Sequence, residues 1–253
     1  MSKNSEWTQQ AEISLGAALT TTSVGTGAAT KRKTASNIEP ITQVESSVRE
    51  ELLKLVQRLF LTPGQALPKT VMFAASGAET GCTRVCAVTA DLLAESVSGS
   101  VCLVEGNFRA PSLADMFGVD NHRGLADSLR QEGAIRGFAT QVGRDNLWLL
   151  SSGSQPADCL NLLSGDRMKE RLMELRSAFD YVLIDAPPLN SYADAMVFGR
   201  LADGVVLVLE ANATRREAAL RVAESLRSAK ISVLGAVLNK RTFPIPSALY
   251  KRL

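Results

Sequence analysis

Six short apolar runs, separated by stretches with helical spacing or turn residues, constrain this chain more than any other feature. They read TVMFAA (70–75), SVCLVE (100–105), NLWLLSSG (146–153), YVLIDAPP (181–188), GVVLVLE (204–210) and SVLGAVLN (232–239). Their hydrophobicity is continuous rather than alternating, which suits strands buried on both faces. A helix-like stretch from Cys82 to Ser96 follows the first run. Another, Thr214 to Ala229, separates the last two, with Ala218, Val222 and Leu226 on one face and Thr214 placed to cap its N-terminus. Strands and helices in this order predict an α/β fold, a mainly parallel sheet covered by helices on both faces.

The flanks differ in character. Residues 1–40 are rich in Ser, Thr, Gly, Ala and Asn, with TTTSVGTGAATKRKTAS at their centre. Such a stretch buries too little apolar surface to offset its ordering entropy, so a disordered tail is expected there. Residues 41–65 read as an amphipathic helix: Val44, Val48, Leu52, Leu55 and Leu59 form one stripe, and Pro63-Gly64 ends it. This helix precedes the first strand, so it packs outside the sheet or against a neighbouring chain. Residues 66–242 form the folded domain, and 243–253 a short C-terminal tail interrupted by Pro244 and Pro246.

Composition excludes several classes. With 28 Lys+Arg against 26 Asp+Glu, the chain carries no field that would recruit nucleic acid. No run approaches the roughly 20 apolar residues of a membrane span, so direct membrane insertion is not expected. The opening MSKNSEWTQQ lacks the apolar core of a secretory leader, which points to the cytoplasm. The four cysteines, Cys82, Cys86, Cys102 and Cys159, have no zinc-site spacing, and His122 is the sole histidine. Cys82 and Cys86 share a helix face at i,i+4, but two further metal ligands are missing, so buried free thiols are expected.

In parallel α/β folds ligands sit at the carboxyl ends of strands, where loops lead into helices. The first such loop, Ser76 to Val85, reads SGAETGCTRV. Ser76, Gly77 to Thr80, Gly81 and Thr83 fit the frame of a phosphate-binding P-loop, in which backbone N–H groups cradle phosphates and the hydroxyl ligates magnesium. Cys82 stands where that frame has lysine, and Glu79 adds a negative charge within the loop. A tight strand–helix turn with Gly77 and Gly81 at left-handed positions accounts for the same residues. Two more strand ends favour the phosphate reading. Asp185 follows an apolar strand where a Walker-B carboxylate would hold magnesium, and Glu105, Asn107 and Arg109 follow SVCLVE. Cys82 at a helix N-terminus is either a reactive thiol of lowered pKa or an inert packed one.

Together the degenerate Walker A, EGNFRAPSL, FDYVLIDAPP, ADGVVLVLEANATRREA and GAVLNK resemble the bacterial tyrosine kinases of capsule and exopolysaccharide synthesis, relatives of the MinD/ParA ATPases. The likeness runs from about Glu51 to Lys240. It implies a P-loop NTPase-like fold with ATP and Mg2+ as cofactors. Ser76 to Thr83 would be the Walker A loop, Glu105 to Arg109 the additional Walker motif, Asp185 the Walker-B aspartate and Asn239 the adenine-reading asparagine. Glu51, Lys54 and Gln57 would occupy the family's helical oligomerisation motif.

The departures from that pattern fall on the chemistry. Lysine becomes Cys82, the two aspartates of the additional motif become Glu105 and Asn107, and the basic fork weakens to Lys54 and Gln57. Only Tyr250 lies in the tail where the family carries a tyrosine cluster. The expected function is therefore that of a pseudokinase or weak nucleotide binder. It would regulate a membrane polysaccharide co-polymerase or activator, or a related kinase, and be recruited to the inner membrane through that partner. A stable homomeric ring is not expected. An active tyrosine kinase and a MinD/ParA-type positioning ATPase are the alternatives, while a Rossmann dehydrogenase is not expected because GxGxxG is absent and no acid is placed to read a ribose.

Overall fold

The computed structural model describes residues 12–16, 44–64, 66–154, 162–163 and 165–241. The strands are β1 (Glu12–Gly16), β2 (Thr70–Ala75), β3 (Val101–Glu105), β4 (Thr140–Gln141), β5 (Leu147–Leu150), β6 (Tyr181–Asp185), β7 (Gly204–Glu210) and β8 (Val233–Arg241). The helices are α1 (Ser46–Phe60), α2 (Cys82–Ser96), α3 (Leu113–Phe117), α4 (Leu125–Arg130), α5 (Asp166–Ala178), α6 (Asp194–Leu201) and α7 (Arg216–Ser228), with a 3-10 turn at Ile135–Phe138. The strands form one sheet in the order β1-β8-β7-β2-β6-β3-β5-β4. Every neighbouring pair is parallel except β4 with β5.

The continuous apolar runs are the inner strands of this sheet, and their side chains divide by parity between two cores. Val71, Phe73, Leu103, Leu183, Val206 and Val208 face α1 and α2. Met72, Ala74, Cys102, Val182, Ile184, Val205 and Leu207 face the opposite layer with α4, α5, α6 and α7. Burial on both faces is why these strands lack alternation.

Of the two placements open to the N-terminal helix, the structure takes the intramolecular one. Leu52, Leu55, Val56, Leu59 and Phe60 of α1 are buried, and Phe60 meets Tyr181 edge-on with ring centroids 5.8 Å apart. Pro63-Gly64 lies just beyond its end, where the Thr62 hydroxyl donates to the carbonyls of Gln57 and Arg58. Lys54 pairs within the helix with Glu51 at 2.6 Å, and Gln57 is exposed. Arg49 pairs with Glu95 of α2, and Arg144 joins that pair at 2.8 Å while also holding Asp91 at 2.8 Å.

Three expectations change. Within the stretch 1–40 assigned to a tail, Glu12–Gly16 forms a strand parallel to β8. Its backbone hydrogen bonds to a sheet edge stand in for the apolar burial that the composition lacks. The remaining tail residues, Cys159 and residues 242–253 with Tyr250 lie outside the described residues. Thr214 does not cap α7, which starts after Arg215; its hydroxyl instead accepts from the Glu210 N–H at 2.9 Å, bracing the β7 turn. Gly77 is not left-handed, although Gly81 is, at φ 80°.

Candidate nucleotide and metal site

The sheet order puts β2 between β6 and β7, so the loop leaving Ala75 crosses the carboxyl end of the sheet beside Asp185. Ser76 and Thr80 are buried, and α2 begins directly at Cys82. A Cβ on Gly81 would stand 2.5 Å from the Asn239 Nδ2, so close approach and a left-handed φ both require glycine. Glu79 is left-handed as well, at φ 60°, without glycine's freedom, a strain of about 1–2 kcal/mol. Its side chain is exposed. Two consecutive residues of β8 grip the loop. Asn239 Nδ2 donates to the Thr80 carbonyl at 2.8 Å, and Lys240 Nζ donates to the Glu79 carbonyl at 2.6 Å.

Asp185 ends β6 level with Phe73 of β2 on one side and Glu105 of β3 on the other. The Thr83 hydroxyl donates to Asp185 Oδ2 at 2.8 Å, while Oδ1, equally buried, has no hydrogen-bond partner. Burial pushes this carboxyl up to about 7; the Thr83 hydrogen bond opposes the rise, the Glu105 charge adds to it, and the Cys82 thiol opposes it. Cys82 itself is buried, and burial followed by the Asp185 charge raises its thiol well above the ordinary range. Desolvation and an adjacent carboxylate outweigh the helix terminus, which favours the packed-thiol reading of Cys82 over the reactive one. Cys86 and Cys102 are likewise buried free thiols raised chiefly by burial.

The residues expected to form the additional Walker motif make structural contacts. Glu105 is fully buried, and its Oε1 accepts from the backbone N–H of Ser112 at 2.5 Å and of Leu113 at 2.6 Å, while Oε2 accepts from Ser152 at 3.0 Å. Its longer arm anchors the start of α3 and the end of β5, so both oxygens are committed to backbone donors. Asn107 Oδ1 accepts from the Ala110 N–H at 3.3 Å, a local turn contact. Arg109 pairs with the buried Asp194 at 3.1 Å and lies over the Tyr192 ring, 4.8 Å from its centroid. Asp194 Oδ1 also lacks a hydrogen-bond partner. Asp194, Tyr192 and Lys240 were not singled out from sequence. Lys240 directly follows Asn239 in GAVLNK, the one signal that could have flagged it.

These residues therefore fall into three groups. Ser76, Gly77, Gly81, Cys82, Thr83 and Asp185 converge at one strand end, with Asn239 behind the loop; Glu105, Asn107 and Arg109 line the neighbouring strand end. Glu51, Lys54 and Gln57 lie apart, on α1. Among the described residues no cluster of three or more His, Cys, Asp or Glu could hold a metal unaided. A magnesium ion bound chiefly by phosphate oxygens and water fits nonetheless, because the Thr83 hydroxyl and the unpartnered Asp185 Oδ1 are both oxygen ligands.

No protein-family model matches the chain. The tyrosine-protein kinase YwqD of Bacillus subtilis (strain 168) is 34% identical over 139 residues, covering 55% of this chain and 59% of its own length. The putative tyrosine-protein kinase CapB of Staphylococcus aureus is 28% identical over 148 residues, 58% of this chain and 65% of its own. The chain is a homologue of these two tyrosine-protein kinases. It spans less than two thirds of the length of these two kinases. Solved structures agree on the fold. The chimerical protein CapA2B2 superposes with a TM-score of 0.73 at 21% identity, over 79% of this chain and 88% of that one. The septum site-determining protein MinD of Pyrococcus horikoshii OT3, complexed with Mg-ADP, gives 0.59 at 22% identity, over 72% and 76%. The fold is thus the P-loop NTPase-like one of these two solved structures. No helix among the described residues is long and apolar enough to cross a membrane.

Proposed function

We propose that this chain is a kinase-like protein of capsule or exopolysaccharide export that binds magnesium–nucleotide weakly and transfers phosphate slowly or not at all. One observation carries the reading. The Thr83–Asp185 pair keeps an oxygen free for a metal, whereas Cys82 is a buried neutral thiol and Glu105 is tied to backbone. Phosphoryl transfer depends on neutralising phosphate charge, and here the positions expected to do so are neutral or already engaged. Magnesium, when bound, would supply charge neutralisation at the phosphates. Thr83 and Asp185 would hold it, and the backbone of Ser76–Gly81 would cradle the phosphates.

The protein would act in the cytoplasm through its surface, on a membrane-bound polysaccharide co-polymerase or activator or on a related kinase. The likeness in fold to the chimerical protein CapA2B2 supports a partner of that kind. Calorimetric titration with ATP, with and without magnesium, alongside an autophosphorylation assay, tests the reading. Weak, magnesium-dependent binding and negligible phosphate transfer are expected. Cys82→Lys should tighten ATP by about tenfold or more, since a charged hydrogen bond to phosphate contributes about 1.5–3 kcal/mol. Turnover should need Asn107→Asp as well. Phosphate transfer by the unaltered chain at typical kinase rates would refute it.

Assembly follows from α1. Its apolar face is spent on α2, and its charged face pairs Lys54 with Glu51 internally, leaving Gln57 as a neutral rim residue. Rim charges fix register more than affinity. Light scattering over a concentration series should show no discrete ring without nucleotide; a persistent homo-octamer at micromolar concentration would contradict this.

A further inference from the structure

We propose that Asn239 and Lys240 form a latch that shapes the phosphate loop from outside, with Lys240 as a positioning residue for a nucleoside di- or triphosphate. This rests on the nucleotide reading above for its ligand, but not for its geometry.

The two residues grip successive carbonyls, Thr80 and Glu79. In a trans peptide the C=O and the following N–H point in opposite directions. Drawing the Glu79 and Thr80 carbonyls toward β8 therefore turns the N–H groups of Thr80 and Gly81 to the other side of the chain. Successive N–H groups so turned make a concave anion site. Asp185, with its buried unpartnered Oδ1 at the adjoining strand end, is an independent sign that the site is built for a ligand.

The backbone around Lys240 is arranged for this reach. Lys240 has φ 55°, left-handed within a strand, and it touches Glu79, which is left-handed too. The pairing of β1 with β8 shifts register here: Ser14 faces Leu238, but Gly16 faces Arg241. An extra residue of this kind re-aims a side chain, and bulges gather beside functional sites. Glu210 of β7, 3.3 Å from Nζ, holds the ammonium in place. The chain thus places a lysine behind the loop while the position inside it is a thiol.

Cys82, where the loop passes into α2, reports on the latch without any nucleotide. Thiol labelling of the full chain, resolved by peptide mass spectrometry, compares the unaltered protein with Lys240→Met and Lys240→Arg. Lys240→Met should label Cys82 about tenfold faster and weaken Mg-ADP about tenfold, the loss of one charge-assisted hydrogen bond. Cys102, buried in β3, should not change, and Lys240→Arg should restore much of both effects. Unchanged labelling of Cys82 overturns the latch, as does parallel acceleration at Cys102, which would mean that the whole domain had loosened. If the labelling pattern appears but even the unaltered chain fails to bind Mg-ADP, the latch stands and the nucleotide reading falls.

Discussion

Glu105→Ala should cost the fold about 3–5 kcal/mol, because it strands buried N–H donors worth about 1–3 kcal/mol each when unsatisfied. Those donors are the N–H groups of Ser112, Leu113 and Ser152, gathered from two separate loops onto one fully buried carboxylate. With total stabilities of about 5–15 kcal/mol for a domain, such a loss is a large fraction of the whole. Glu105→Asp is the discriminating control. It keeps the charge beside Asp185 but shortens the arm by one methylene, so it should recover little of the stability. Urea denaturation checks this as a lowered midpoint with an unchanged slope. A loss below about 1 kcal/mol would mean that the donors find water, and Glu105 would then be free to serve the ligand site.

This residue also shows where sequence stops being informative. The strands were legible because burial on both faces leaves a continuous apolar run, and TVMFAA and GVVLVLE match β2 and β7 end to end. The loop and Asp185 were legible because a P-loop and a strand-terminal carboxylate are local patterns. What Glu105 does was not. Its acceptors serve Ser112 and Leu113 beyond the next turn, and Ser152 at the end of β5, 47 residues away. The two readings of Cys82 stayed open in the sequence for a similar reason. A helix N-terminus is visible in sequence, but its burial beside Asp185, 103 positions further on (185 − 82), is not. Left-handed backbone at Glu79 and Lys240 carries no residue signal, since neither is glycine or asparagine. The strand Glu12–Gly16 was missed because backbone pairing at an edge asks little of side-chain composition.

Asp185→Asn should have two opposite effects. As it stands, Asp185 is a buried acid with one oxygen unpartnered and Glu105 as a like-charged neighbour, both unfavourable to its ionised form. An asparagine keeps an acceptor for the Thr83 hydroxyl and removes the charge. Without magnesium the variant should therefore be more stable by about 1 kcal/mol, a rise of about 2–4 °C in Tm for a domain of this size. Residues retained against stability are the mark of a site kept for a ligand. The same change deletes one of the two proposed magnesium ligands, so the stabilisation that Mg-ADP gives the unaltered chain should vanish. That stabilisation is about 2.7 kcal/mol at a ligand concentration of 100 Kd, large enough to read in a thermal melt. Melts of both proteins, alone, with magnesium, and with magnesium and ADP, give the answer directly. A variant that is less stable than the parent and still responds fully to Mg-ADP would make Asp185 a structural residue and move the metal elsewhere.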